Sequence, residues 1–530
     1  MSVSSGTKRV KSGCITCRIR RVKCDEEKPA CRRCISTGRT CDGYSTLPFS
    51  RRDLQTASLL GSRQSSACGE DYRPVGPLPR LVTDPAFSGL LEKRYFQFFR
   101  QRTVASTNAI VSCRFWDRIV LQACHTEPAV KHAVLALSSL HSVRTLASDG
   151  NSHIQHRQYA DTQHQKALKE ARAFIASAGS EDIDRVLVTC IIFIIFESVR
   201  GEYCAASTHM DSGRAIIADN LQRLKHTSRR RDLLEIESAF ARLDLPATCF
   251  SDRTSPYRYG LQDFLNTKPA LEPECFQDIN EAQNSMIDLM RWLMILGNHI
   301  ERAVRRNDVQ AIARYSAEKT RCTVTIKQWH WHFEVLASES DLSSSLTVIN
   351  LRLWYAFAQL AIQAYGHGPQ KQHDGLLHHG KEILRYGEQL AKSLAQSEVA
   401  AQPSSFSFDF GYIIPVYAAA TVCRDPLLRR RAISILHTYP RQEGVWESTA
   451  AAAVAARWVM VEEAGLVVTC ADDVPEHRRI RYISTKVNID GKSAWINLAP
   501  RPPGVPVDVT ATWWPGCSTA DELLKQNTLN

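Results

Sequence analysis

Six cysteines between residues 14 and 41 constrain this chain more than any other feature. They stand at Cys14, Cys17, Cys24, Cys31, Cys34 and Cys41, so C-x2-C-x6-C is followed by six residues and then repeated. A stretch of about 28 residues cannot bury enough apolar surface to fold unaided. The thiols must therefore supply the stability that a core would. The N-terminus, MSVSSGTKRVKSGC, is polar and basic and lacks the apolar run of a secretory signal. The longest apolar run, Val186 to Phe196, has eleven residues, against the ~20 that cross a bilayer. Glu197 and Arg200 follow it at once, so it reads as a buried helix whose charged end is ordinary helix-terminal charge. These features point to an intracellular, soluble chain with no membrane partner. In a reducing compartment clustered thiols hold metal rather than disulfides.

Each half of the repeat offers three sulfurs, whereas tetrahedral zinc takes four. No histidine lies within the segment to complete a mononuclear site; the nearest is His125. Two Zn²⁺ ions have eight ligand positions for six thiolates, so two cysteines must bridge. Symmetry makes the bridging pair equivalent positions in the two halves, and Cys14 and Cys31 are natural candidates. The metal then supplies the folding free energy. The other eleven cysteines are scattered, form no C-x-x-C pair, and read as small buried hydrophobes.

Charge is as unevenly placed as the cysteines. Residues 1–52 hold 13 Lys plus Arg against 4 Asp plus Glu, a net of +9 out of +11 for the whole chain. A small basic unit on a nearly neutral body points to a polyanion partner. The two halves differ as well. Arg18, Arg20, Arg21 and Lys23 fall between Cys17 and Cys24, while only Arg39 falls between Cys34 and Cys41. The first half should face nucleic acid and the second should close the cluster, with Arg32 and Arg33 near enough to add phosphate contacts. Arginine and lysine pair best with the O6 and N7 acceptors of guanine, so the chemistry favours a G-rich duplex.

The six cysteines, the run Arg18-Ile19-Arg20-Arg21-Val22-Lys23-Cys24-Asp25, Pro29 before Cys31 and Gly38 before Cys41 closely resemble the fungal Zn(II)2Cys6 binuclear cluster over residues 10–44. The resemblance implies two Zn²⁺, bridging by the first and fourth cysteines (Cys14 and Cys31), and reading of CGG triplets in double-stranded DNA. It places the main base contact at Arg21. Arg18, Arg20 and Lys23 are then assigned to phosphate, with Lys8, Arg9 and Lys11 as a basic arm. TKRVK and RIRRVK also suit nuclear import. A nuclear, sequence-specific transcription factor is the leading expectation. A zinc-dependent adaptor or scaffold tethered to nucleic acid is the alternative.

The resemblance and the periodicity together imply a mostly α chain: a basic arm (1–13), the zinc cluster (14–44), a flexible linker (45–86), a helical regulatory domain (87–500) and a tail (501–530). The linker is rich in Ser, Pro, Gly and Arg, and Leu47, Leu54, Leu59 and Leu60 sustain no heptads. Without a zipper the chain binds as a monomer, pairs with another protein, or forms a homodimer through its C-terminal region, the option we favour. Helices are expected over 155–177, 183–200, 203–221, 277–305, 306–338, 345–364 and 374–395. Only RYISTKVNIDGKSAWINL reads as strands, a short hairpin turning at Asp490-Gly491. Residues 114–141 and 190–217 resemble the middle homology region of fungal zinc cluster factors, which implies a helical regulatory module that holds the activator in check or senses a signal; the helical body is also expected to recruit co-regulators or the transcription machinery. No G-x-S-x-G, P-loop, G-x-G-x-x-G or H-E-x-x-H motif occurs, so no enzyme is expected. The histidines read as packed or surface residues, and the segment WHWHF (329–333) as core packing.

Overall fold

A computed structural model of the chain describes residues 14, 17, 22–27, 30–37, 41, 87, 89–110, 113–145, 150–177, 179, 182–224, 230–249, 275–339, 345–366, 368–396, 405–488, 493–500 and 507–512. The expected linker, the basic arm and the Asp490-Gly491 turn lie outside the described residues. The cysteine segment carries one short helix, α1 (Arg32–Ile35). The rest is a helical body, as the periodicity requires.

The first part of the body is built on α2 (Leu90–Phe98), α3 (Val104–Thr107), α4 (Leu121–Thr126), α5 (Pro128–Thr145), α6 (Gly150–Ser177), α7 (Ile183–Arg200), α8 (Tyr203–Leu224) and α9 (Arg230–Thr248). Pro128 is the first residue of α5, where its missing N–H costs nothing. The apolar run is indeed a buried helix: α7 is buried continuously from Leu187 to Val199. Gly201 stops it in the left-handed conformation, φ 80°, and its N–H reaches the carbonyls of Glu197 and Ser198. One expectation fails here. Glu197 is not a solvated helix-end charge; it is buried and lies 2.8 Å from His164 Nε2 on α6. The pairing crosses two helices, which the spacing within one helix does not reveal.

The second part comprises α10 (Ile279–Arg305), α11 (Val309–Glu339), α12 (Leu346–Ala364), α13 (Leu377–Gln396), α14 (Ile413–Val422), α15 (Pro426–Thr438) and α16 (Ser448–Glu463). Side-chain caps set several starts: Asp278 accepts from the N–H groups of Asn280 and Glu281 at α10, Ser345 from Val348 at α12, and Asp425 from Leu428 at α15. Trp292, Trp329 and Trp354 are fully buried in this core. The indole N–H groups of Trp329 and Trp354 donate to the carbonyls of Ala282 and Gly411 at 3.0 and 2.8 Å, which removes the cost of burying them. In WHWHF, Trp329 and Phe333 are core, while Trp331 between them is 62% exposed. Helix α9 joins the two cores, giving Ile236 and Phe240 to the first and Leu245 to the second.

Strands are more numerous than the sequence suggests. β1 (Ser405–Ser407) pairs parallel with β2 (Arg441–Glu443), which pairs antiparallel with β3 (Trp446–Glu447). The expected hairpin is present as β4 (Ile480–Asn488) and β5 (Ser493–Pro500), in register Ile483 to Leu498. Residues 507–512, read as tail, form a third strand, β6 (Val507–Thr512), opposite β5. Ala494, Ile496 and Leu498 alternate inward against Val454 and Trp458 of α16.

One buried ion cluster fastens this sheet to the body. Glu462 of α16 is fully buried between Arg424 and Arg429, whose Nη2 atoms lie 2.9 and 2.7 Å from its oxygens. The same carboxylate accepts from the backbone N–H of Ile480, at the start of β4, and from Trp458 Nε1.

Candidate metal centre and nucleic-acid interface

The chain folds back on itself so that the two halves of the repeat interlock. Cys14, Cys17, Cys31 and Cys34 are fully buried, and Cys24 and Cys41 are half-buried with Val22 packed against them. The hydrogen bonds repeat with the sequence. Cys14 N–H donates to Cys24 Sγ at 3.4 Å, and Cys31 N–H to Cys41 Sγ at 3.3 Å. Cys17 N–H donates to Cys14 Sγ at 3.4 Å, and Cys34 N–H to Cys31 Sγ at 3.3 Å. Each C-x2-C pair thus opens with the first sulfur taking a backbone donor from the second cysteine. This half-turn geometry aims both sulfurs at one point.

Two sets of four sulfurs result. Cys14, Cys17, Cys24 and Cys31 form one, and Cys14, Cys31, Cys34 and Cys41 the other, each with its sulfurs within 4.8 Å of one another. Cys14 and Cys31 belong to both, and their sulfurs are 3.5 Å apart. Four thiolates are a complete donor shell for a tetrahedral ion. None of the six is joined in a disulfide. Burial pushes the thiols of Cys14, Cys17 and Cys31 up from their ordinary value. Crowded, buried thiols of this kind become thiolates when a cation compensates them, so the donor set fits zinc. Among the described residues no other group of three or more such side chains converges in this way.

Asp25 has a role that the cysteine count alone misses. Its carboxylate leaves the first half and accepts from the backbone N–H groups of Arg32 and Arg33, at 2.7 and 3.2 Å. It thereby caps α1 in the second half. Desolvation opposes ionisation of Asp25, but these two donors prevail and hold its carboxyl below the ordinary value. The signal was in the repeat: Asp25 follows Cys24 as Asp42 follows Cys41, although Asp42 lies outside the described residues.

Of the expected nucleic-acid contacts, Lys23 is described and is exposed beside Cys24. Lys8, Arg9, Lys11, Arg18, Arg20 and Arg21 lie outside the described residues. Arg32, expected near phosphate, lies on the surface and ion-pairs with Glu27 at 2.5 Å.

The binuclear Zn(2)-Cys(6) cluster domain of fungi, a zinc-binding domain, matches residues 12–48. The fungal specific transcription factor domain matches residues 94–453, most of the helical body. The aspercryptin biosynthesis cluster-specific transcription regulator of Emericella nidulans is 27% identical over 539 aligned residues, covering 84% of this chain and 86% of that protein. The transcription regulator lscL of Purpureocillium lilacinum is 37% identical over 207 residues, 38% of this chain and 47% of its own. A Zn(2)-C6 fungal-type transcription factor of Aspergillus fumigatus, afumD, is 28% identical over 187 residues, 35% of this chain and 45% of its own. No solved structure matches the chain. These relatives are transcription regulators and no enzyme family is indicated. With one domain matching the cysteine repeat and another spanning most of the body, the chain belongs to the fungal zinc cluster transcription regulators.

Proposed function

We propose that this protein is a nuclear, sequence-specific transcription factor that reads CGG-like triplets in double-stranded DNA. The observation that carries the reading is the pair of interlocked four-sulfur sets sharing Cys14 and Cys31, set in the most basic part of the chain. Two Zn²⁺ ions fit it, one in each set, with Cys14 and Cys31 bridging and Cys17, Cys24, Cys34 and Cys41 terminal. The zinc clamps the halves and supplies the stability of the segment. Arg21 reads guanine from the major groove, and Arg18, Arg20 and Lys23 grip phosphate, with Lys8, Arg9 and Lys11 as a trailing arm.

The division into arm (1–13), reader (14–44), linker (45–86), regulatory body (87–500) and tail (501–530) is part of the proposal, with 507–512 of the tail joined to the body through β6. The body restrains the reader, recruits co-regulators, and provides the surface for a homodimer. Likeness along most of both chains to a biosynthesis cluster-specific regulator supports a pathway-specific role.

Metal analysis and DNA titration of the full chain test the reading. Two zinc ions per chain and preference for CGG duplex over scrambled duplex and structured RNA are expected. Arg21→Ala should cost about 1–3 kcal/mol of binding and relax the base preference. A Cys14→Ala chain that keeps its zinc and its affinity would falsify the cluster. RNA displacing the CGG duplex would favour the adaptor reading instead.

A further inference from the structure

A cleft opens where α11, α12 and α13 meet, far in sequence from the cysteines. Its volume is about 370 Å³, at the small end of the roughly 300–1,000 Å³ typical of small-molecule sites. One wall is flat and aromatic. The His330 ring lies on the Tyr355 ring with centroids 3.8 Å apart and 11° between planes. His330 Nδ1 is buried yet makes no hydrogen bond. The nearest carboxylate oxygen, on Glu334, is 3.9 Å away, beyond hydrogen-bond reach. Buried polar atoms in folded proteins nearly always have a partner, and the exceptions call for an explanation.

The remaining lining says what kind of partner fits. Its charges are already matched. Arg352 holds Glu334 through Nε and Nη2 at 3.0 and 2.9 Å. Arg385, outside the lining, holds Glu382 at 3.2 and 2.6 Å. Burial pushes His330 below its ordinary value, and burial together with His378 pushes His379 to about 4, so both rings are neutral at pH 7. Gln363 Nε2 is 2.9 Å from His379 Nε2. An amide nitrogen only donates, so that ring nitrogen accepts and the proton sits on Nδ1. The Tyr355 oxygen accepts from Gln359 Nε2 at 3.0 Å, which leaves the hydroxyl proton to donate. No guanidinium stands ready for an anion and no carboxylate for a cation. The cleft offers a π surface, a ring nitrogen and a hydroxyl donor.

We propose that this cleft binds a small, neutral, planar molecule of one or two aromatic rings bearing a hydroxyl or a ring N–H. The ring lies against the His330–Tyr355 pair, and the polar group meets the Tyr355 hydroxyl and, once the His330 ring turns to open its buried Nδ1 to the cleft, that nitrogen as well. This gives the body a chemical input that is separate from DNA reading and does not depend on it.

Ligand-observed saturation-transfer NMR on the full chain tests the site, with phenol, indole and 2-naphthol as neutral probes. 2-Naphthoate and 2-naphthylmethylammonium are the charged controls. The neutral probes should bind saturably and compete for one site, and the charged pair should bind about tenfold more weakly. His330→Phe keeps a ring but removes the nitrogen, and Tyr355→Phe removes only the hydroxyl. Each should weaken 2-naphthol about five- to tenfold, the loss expected for one hydrogen bond, with unchanged far-UV circular dichroism and CGG affinity. Three results overturn the proposal: no saturable binding by any neutral probe, equal binding of the charged pair, or wild-type binding in both variants.

Discussion

Replacing Glu462 by alanine should destabilise the helical body more than any other single charge removal described above. Glu462 and its partners Arg424 and Arg429 are all essentially unexposed. Taking away one member of a buried ion cluster leaves uncompensated charge and costs about 3–5 kcal/mol. Two neutral donors, the Ile480 N–H at 2.7 Å and Trp458 Nε1 at 3.0 Å, lose their acceptor as well, at about 1–3 kcal/mol each when buried. The terms overlap because they share one carboxylate. Carbonyls soften the loss, since Arg424 also donates to Val422 and Ile480 and Arg429 to Ala420. A net cost of about 5 kcal/mol is expected, against the roughly 5–15 kcal/mol by which a domain is stable.

Urea denaturation of the full chain, followed by helical circular dichroism, measures this cost. The pH dependence carries a sign. Desolvation pushes Glu462 up, but Arg424 and Arg429 outweigh it, and the net shift is down from 4.5. A carboxyl depressed in the folded state stabilises fully above its unfolded value and loses that contribution as pH falls through the folded one. The gap between wild type and Glu462→Ala should therefore be constant from pH 6 to 8 and shrink below about pH 4. A triple replacement, Arg424→Met, Arg429→Met and Glu462→Leu, removes the stranded charge but leaves the Ile480 and Trp458 N–H groups without their acceptor, so it should recover part of the loss. A Glu462→Ala penalty under about 1 kcal/mol, or a triple variant as unstable as the single one, would refute the reasoning.

Two further outcomes follow from local geometry. Asp25→Asn keeps the side-chain volume but weakens the cap that joins the two cysteine halves; faster zinc loss to a chelator and weaker CGG binding are expected, and unchanged metal exchange kinetics would show that the cap is dispensable. Gly297→Ala places a Cβ 2.2 Å from the Tyr365 ring, so the ring must move or the helices part; a loss of about 1–3 kcal/mol in urea is expected, and a neutral result would mean that Tyr365 relaxes freely.

Much of this architecture was legible because its signals are local. The expected span 183–200 coincides with α7, and the other expected helices lie within a few residues of those observed. An apolar stripe at period 3.6 needs no knowledge of its partner. What escaped depends on the partner. Strands β1 to β3 have two or three residues each, too short to alternate. β6 does alternate, but it follows a proline-rich stretch that reads as tail. Buried charges are the hardest case. Arg424, Arg429 and Glu462 read as surface residues until the fold brings them together. Likewise nothing in WHWHF distinguishes inward-facing Trp329 from outward-facing Trp331 except the phase of the helix against its neighbours.

The cysteine segment is legible for the opposite reason. Its stability comes from ligand identity and spacing, both of which are written in the sequence: that two cysteines are shared follows from arithmetic, the resemblance points to Cys14 and Cys31, and the geometry gives that pair to both donor sets. The two units therefore rest on different physics. The reader is held by thiolate and metal, and the body by apolar packing around tryptophans and matched buried charge. Perturbing one source of stability leaves the other in place. Under the proposed function, removing zinc should abolish DNA binding at the cysteine segment while the helical body keeps its circular dichroism and its urea midpoint. A body that unfolds together with the metal-free segment would show that the two do not rest on separate sources of stability.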